Sequence, residues 1–174
     1  MRSEICLESM VTVPGRGSAD GRLLLEALYR RQTGEPLPPM ARTVRGKPFF
    51  ITGGWHFSIS HTKSRVFCAL APFPVGLDAE ALDRQVRPGL PEKILAPGEL
   101  EDWKFGGCSR RTLLTYWVLK EAWLKYTGQG LCGYPRDLCF RLSVTGPRLE
   151  GHSAKFYLLE QENHILALCS GRRN

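Results

Sequence analysis

The sequence has no pair of cysteines at the C-x-x-C spacing of a zinc or redox site, and no apolar run of the ~20 residues that crosses a bilayer. It also has no basic stripe interleaved with exposed aromatics. Each absence excludes something. The six cysteines (Cys6, Cys68, Cys108, Cys132, Cys139 and Cys169) are scattered, so we expect reduced thiols rather than a disulfide framework. No membrane span is expected. Glu4 falls where a secretory leader would begin its uninterrupted apolar region, so export by that route is not expected and a cytoplasmic location follows. Without the basic–aromatic stripe, nucleic acid is set aside as a partner. What remains is an ordinary globular composition, 43% hydrophobic and 24% charged over 174 residues. That length suits one domain or two small halves sharing a core. The net charge of +7 invites an anionic partner, whether nucleic acid, a phosphate-bearing small molecule or an acidic protein, and charge alone does not choose.

Residues 112–127 organise the rest. At ~100° per residue, Leu114, Trp117, Val118, Glu121 and Lys125 fall on one arc, and Leu119, Ala122, Trp123 and Tyr126 on another. A helix apolar on two sides is buried between layers, and a carboxylate within its apolar arc needs a cation. For Glu121 that cation is either Lys125, one turn on, or a metal ion.

The chain divides around this helix. Residues 5–13 read as a strand, followed by a glycine-rich link in which Asp20 or Ser18 caps a helix over 19–33. The Pro-rich stretch 35–39 ends that helix, because proline lacks the amide and fixes φ. A basic loop at 42–48 follows, opening into an apolar run at 49–51. Extended runs at 56–60, 65–70 and 75–80 are joined by links too short for anything but antiparallel neighbours. Short helices are expected near 91–95 and 97–103, and 106–111 is the least ordered stretch. The tail carries strands at 138–144, 154–160 and 164–170, with fraying expected over 171–174. The halves read strand, helix, meander and then strand, helices, meander. This predicts an α+β fold of two similar halves, each a helix on a small antiparallel sheet, about a pseudo-twofold axis with a cleft between them. The boundary falls between residues 1–72 and 73–174.

In Val-Gly-Leu-Asp-Ala-Glu at 75–80, strand alternation puts Gly76, Asp78 and Glu80 on one face. Two carboxylates ~6.6 Å apart along that face are close enough to share a hard cation, and Gly76 leaves room beside them. Magnesium fits best. The alternative is a strand whose second face is simply solvated. With Glu121, three carboxylates would balance one divalent ion and bound phosphates. For the phosphates, His61 stands at a strand end just before Thr62 and Lys63, while Arg22, Arg42, Arg45 and Lys47 add charge around the first helix and the Gly46-Pro48 loop.

Four stretches in this order resemble the motifs of the surfactin-type 4′-phosphopantetheinyl transferases: Gly-Lys-Pro at 46–48, Phe-Ser-Ile-Ser-His at 57–61, Val-Gly-Leu-Asp-Ala-Glu at 75–80, and Trp-Val-Leu-Lys-Glu-Ala-Trp-Leu-Lys at 117–125. The resemblance covers residues 22–140 and is strongest in the last two stretches. It implies the two-halved pseudo-symmetric fold and Asp78, Glu80 and Glu121 as magnesium ligands. It implies coenzyme A contacts from Arg22, Arg45, Gly46, Lys47, Pro48, Ser60, His61, Thr62, Asp78, Lys120 and Lys125. Of these, His61 and Lys125 face the pyrophosphate, Gly46 to Pro48 border the adenine and Arg22 meets the 3′-phosphate. Glu99 matches an acidic linker residue. Ser58 stands where the family usually has asparagine, Val118 where a small hydroxyl residue is common, and only Arg2 and Arg16 offer charge ahead of the first helix. The implied reaction moves 4′-phosphopantetheine from coenzyme A to a serine of an acyl or peptidyl carrier protein and releases adenosine 3′,5′-bisphosphate. Glu121 or a water on the metal would take the serine proton. The family's carriers are acidic, and a chain carrying both halves is expected to act as a monomer. Two other functions fit the charges alone: a basic module that binds nucleic acid or coenzyme A without catalysis, and a magnesium-dependent phosphohydrolase.

Overall fold

The computed structural model describes residues 5–130 and 135–171; Arg2, Cys132 and residues 172–174 lie outside them. In chain order the elements are β1 (Cys6–Val11), α1 (Gly17–Thr33), β2 (Met40–Arg42), β3 (Pro48–Phe50), β4 (His56–His61), β5 (Arg65–Ala71) and β6 (Val75–Ala81). There follow α2 (Leu90–Ile94), α3 (Pro97–Phe105), α4 (Arg110–Thr127), β7 (Phe140–Ser143), β8 (Gly146–Leu149), β9 (Lys155–Gln161) and β10 (His164–Ser170). Two three-stranded antiparallel sheets result, ordered β1-β5-β4 and β6-β10-β9, with hairpins β2-β3 and β7-β8 beside them. In each sheet the strand that comes first in the chain pairs with the last, and the last pairs with the one before it. The expected α+β class is observed.

The meander over residues 56–80 is not. β4 and β5 pair as expected, but β6 leaves β5 and pairs with β10. Pro72 and Pro74 withhold two amides from the link, and the edge that β5 would have offered β6 is taken by β1. The turn therefore hands the chain from one sheet to the other.

The sheets pack through Phe67, Ala69, Ala71, Val75, Leu77, Ala79, Leu166 and Leu168, all buried. α1 covers the first sheet through Leu25, Leu28 and Tyr29. α4 covers the second through Leu113, Leu114, Val118, Leu119 and Ala122. As its two apolar arcs require, α4 is buried almost all round. It starts at Ser109, whose hydroxyl accepts from the Thr112 amide at 3.4 Å, and ends at Gly128, in the left-handed region at φ 72°. Arg110 and Arg111 are thus helical, and 106–111 is less irregular than its composition indicates. α1 begins two residues earlier than expected and uses neither Ser18 nor Asp20 as a cap. Asp20 lies inside the first turn, accepting from the Thr12 hydroxyl at 2.5 Å and from the Arg16 guanidinium. Strands β2 and β8 are too short to show in an alternation pattern.

Cys68, Cys108, Cys139 and Cys169 are free thiols. Burial pushes Cys68 and Cys169 up to about 12, which makes them inert packing groups. Among the described residues no helix is long and apolar enough to cross a membrane.

Candidate active site

The site forms where β4, β6 and α4 meet, and two kinds of small residue allow it. A Cβ on Gly76 would lie 2.1 Å from the Ala122 carbonyl oxygen and 2.5 Å from the Tyr126 amide, so its hydrogen lets α4 lie directly on β6. The room expected beside the carboxylates is filled by helix backbone. On the other flank β4 and β6 are joined by side chains. The Leu77 amide donates to Ser58 Oγ at 2.9 Å and the Ala79 amide to Ser60 Oγ at 3.1 Å, while Ser60 donates to Asp78 Oδ1 at 2.9 Å. The two serine hydroxyls thus satisfy two β6 amides.

Asp78 on β6 (6% exposed) and Glu121 on α4 (9%) are both buried, near enough for the Asp78 charge to act on Glu121. Asp78 Oδ1 also accepts from Lys125 Nζ at 2.7 Å, and Lys125 donates to the Ile59 carbonyl at 3.3 Å. The i,i+4 pairing expected of Lys125 with Glu121 is therefore replaced by a bond to the strand. Asp78 Oδ2 and Glu121 Oε1 are the buried side-chain oxygens without a hydrogen-bond partner among the described residues. Burial, reinforced by the Asp78 charge, raises Glu121 to about 7 against the opposing pull of Lys125 and Arg84.

Glu80 is placed differently. Its Oε1 accepts from Trp117 Nε1 at 3.0 Å and from the Arg84 guanidinium, which also lies over the Trp117 ring, 5.5 Å from its centre. Among the described residues no three His, Cys, Asp or Glu side chains are gathered closely enough to hold a metal ion. The donor set nonetheless suits one at the Asp78–Glu121 edge. Two buried carboxylate oxygens with nothing to accept from are what a hard divalent cation takes up.

Lys120, expected to contact the cofactor, turns the other way. It is 0% exposed and donates to Glu99 Oε2 at 2.5 Å and to the Ile94 carbonyl at 2.7 Å. Burial pulls its ammonium below the usual range, with Glu99 opposing. Glu99 also accepts from the Ala96 amide at 2.8 Å, closing the first turn of α3, and from the Phe140 amide at 2.7 Å. The linker acid and the motif lysine form an internal staple of the second half.

The remaining candidates lie on the first half. His61 is exposed at the end of β4, its ring against the start of α1: a Cβ on Gly17 would sit 2.7 Å from His61 Cγ and Nδ1. Helix amides and dipole favour an anion there. Thr62 spends its hydroxyl on the β4–β5 turn and on His164 Nε2 at 2.9 Å. Arg45, Gly46, Lys47 and Pro48 form the tip and return of the β2–β3 hairpin. Lys47 Nζ reaches the Tyr126 carbonyl at 2.8 Å, docking the hairpin on the end of α4. Arg22 is exposed on α1 and, among the described residues, neither it nor Arg45 makes an ion pair. Arg84 was missed altogether, although it stands four residues beyond Glu80.

A buried pair of carboxylates beside a lysine thus lies at the junction of two small antiparallel sheets, a donor set that suits a hard divalent ion. The sequence profile of the 4′-phosphopantetheinyl transferase superfamily matches residues 74–169, and the chain belongs to that family. It is 30% identical over 137 residues to a 4′-phosphopantetheinyl transferase of Bacillus subtilis, covering 72% of this chain and 59% of that one. It is 30% identical over 105 residues to the 4′-phosphopantetheinyl transferase psf-1 of Bacillus pumilus, covering 58% and 45%. Among solved structures, the holo-[acyl-carrier-protein] synthase (AcpS) of Thermotoga maritima is similar at 28% identity with a TM-score of 0.48, over 56% of this chain and 61% of that one. The chain spans less than two-thirds of the length of the curated relatives it matches.

Proposed function

We propose that this chain transfers 4′-phosphopantetheine from coenzyme A to a serine of an acyl or peptidyl carrier protein, releasing adenosine 3′,5′-bisphosphate. The observation that carries the reading is the pair of unpartnered buried oxygens on Asp78 and Glu121 beside Lys125, on the two stretches that best match the family. Asp78 and Glu121 would hold magnesium, with Glu80 as a third carboxylate. Bound there, the ion would neutralise pyrophosphate charge. Lys125, fixed by Asp78 and Ile59, presents a cation whose position needs no reorganisation as charge develops on the phosphate. His61, at the start of α1, would meet the pyrophosphate from the first half, and Arg22, Arg45 and the 46–48 hairpin would border the nucleotide.

In the reaction the serine oxygen bonds to the phosphorus that carries pantetheine. The bond from that phosphorus to the bridging oxygen breaks, and the electron pair leaves with the bisphosphate. Glu121 would accept the serine proton. Positioning and charge stabilisation supply most of the rate in phosphoryl transfer, and both lie within this seam.

The single-chain, surfactin-type arrangement is part of this proposal. The shared strand order of the two sheets supports it, with residues 1–72 and 73–174 as halves and the cleft between them. So constituted, the chain acts as a monomer. Mass spectrometry of an apo carrier protein incubated with the chain, coenzyme A and magnesium tests the whole reading. Addition of phosphopantetheine is expected. Hydrolysis of coenzyme A without any addition to the carrier would sink it.

A further inference from the structure

The Glu80 carboxylate is the member of the proposed ligand set that keeps no buried, unpartnered oxygen. Trp117 Nε1 holds its Oε1 at 3.0 Å, and the Arg84 guanidinium binds the same oxygen from one turn further along the chain. The pair is partly shielded, with side-chain exposures of 17% for Glu80 and 35% for Arg84, and the Trp117 ring closes one face of the guanidinium. Asp78 and Glu121 differ sharply, each keeping a buried oxygen with no partner. The three carboxylates are therefore divided into two that keep a buried open oxygen, although Lys125 already holds the other oxygen of Asp78, and one, Glu80, that does not. Arg84 is suited to this division. Its planar fork pairs with a carboxylate and stacks on an indole at once, which a lysine at the same place would do poorly.

We infer that Arg84 is a built-in counter-ion that withholds Glu80 from a divalent ion, so that the third carboxylate joins the metal only when the Arg84–Glu80 pair opens. This rests on the proposed metal site at Asp78 and Glu121. It assigns Arg84 the role of setting metal affinity without touching metal or substrate. The same contact gives the chain a safe resting state. With the pair closed, Glu80 carries a cation from Arg84 as Asp78 carries one from Lys125, so three carboxylates are not ionised side by side without a counter-charge. Opening also moves the guanidinium off the seam, so metal and Arg84 occupy Glu80 alternately.

The test is addition of Mn2+ to the full chain, followed through the electron paramagnetic resonance signal of the free ion, with no substrate present. Arg84→Gln is expected to tighten Mn2+ by up to about fivefold, the size of one partly exposed ion pair. Glu80→Gln is expected to weaken it, and Arg84→Gln on top of Glu80→Gln to add nothing. Unchanged or weaker binding by Arg84→Gln overturns the inference. So does an equal gain in the Glu80→Gln background, which would mean simple removal of a distant repelling charge. Should Arg84→Gln fail to fold, Arg84→Lys keeps the charge and loses the fork, and must tighten binding by a smaller factor. Asp78→Asn separates the two levels. If the unaltered chain binds Mn2+ and Asp78→Asn does not, the metal site stands and only the Arg84 role is at stake. If the unaltered chain binds no Mn2+, the site and the inference fall together.

Discussion

Glu121 concentrates the electrostatic cost of this site in one side chain. Its carboxyl is raised from the ordinary 4.5 to about 7 by burial first and by Asp78 second. An acid whose folded-state pKa is raised favours the fold below its unfolded pKa and loses that advantage as pH climbs to the folded one. Without metal, the contribution of Glu121 should be intact near pH 4.5 and gone above pH 7, a loss on the order of 3 kcal/mol. Glu121→Gln removes the loss. In metal-free urea unfolding it should be more stable than the parent at pH 8 by up to this amount, and little different at pH 4.5. A variant equally destabilised at both pH values would show that the glutamate is paired rather than stranded. The sequence displays this residue well, since a carboxylate on an apolar arc needs a cation, but not which cation. Spacing offers Lys125, and Asp78 on β6, the strand that α4 lies on, takes Lys125 away; nothing local encodes that. Lys120 misleads for the same reason. A lysine within a motif that carries chemistry is expected to face the ligand, whereas its neighbour Glu121 already takes that direction, and 100° further round the helix points into the second core.

At the scale of elements, the contact between α4 and β6 decides whether the site exists, and it is made by what Gly76 lacks. Gly76→Ala places a methyl group 2.1 Å from a backbone carbonyl, and backbone yields less readily than the end of a side chain. We expect a loss of about 3 kcal/mol, the upper end for overpacking, measured by urea unfolding, with Lys125 drawn away from Asp78 as the helix lifts. The staple on the far side of α4 makes a complementary prediction. Lys120→Met leaves Glu99 buried beside an apolar group, and removal of one partner of a buried pair costs about 3 to 5 kcal/mol. Adding Glu99→Gln should recover part of that, because the amide oxygen still accepts from one of the two backbone amides and no charge is stranded. If the double variant is no more stable than Lys120→Met, the two residues are not coupled as described. The long helices and the longer strands were legible from periodicity, down to His164–Ser170 without error. The pairing of β4 with β5 and of β9 with β10 was legible too, but the partner of β6 was not, because pairing there depends on which edge is free. The proline link before β6 carries that information only once β1 is known to occupy the edge of β5.

In the whole molecule the two sheets meet differently along their two flanks. Corresponding rows of the registers set Ser58 and Ser60 on β4 against Tyr157 and Leu159 on β9. The serines draw β4 and β6 together around the carboxylates. The larger side chains leave an apolar groove of about 420 Å3 between β1 and β9, lined by Leu7, Tyr157 and Leu159 among others and containing none of the site residues. The candidate site residues on β4, β6 and α4 are thus confined to one flank. On the proposed function, access to that flank by an acidic carrier would be governed by the field of the whole chain, whose net charge is +7. Long-range attraction acts on encounter and is screened within about 10 Å at 0.1 M salt, whereas contacts already formed are screened much less. In stopped-flow measurements between about 50 mM and about 500 mM salt, the association rate with a carrier protein should fall by roughly tenfold while the dissociation rate changes little. A fall in affinity carried by dissociation alone would place the salt-sensitive charges inside the docked interface. Association indifferent to salt would instead assign docking to apolar surface, for which the exposed Val44, Phe49 and Ile51 of the β2–β3 hairpin are the candidates, next to Lys47 and the end of α4.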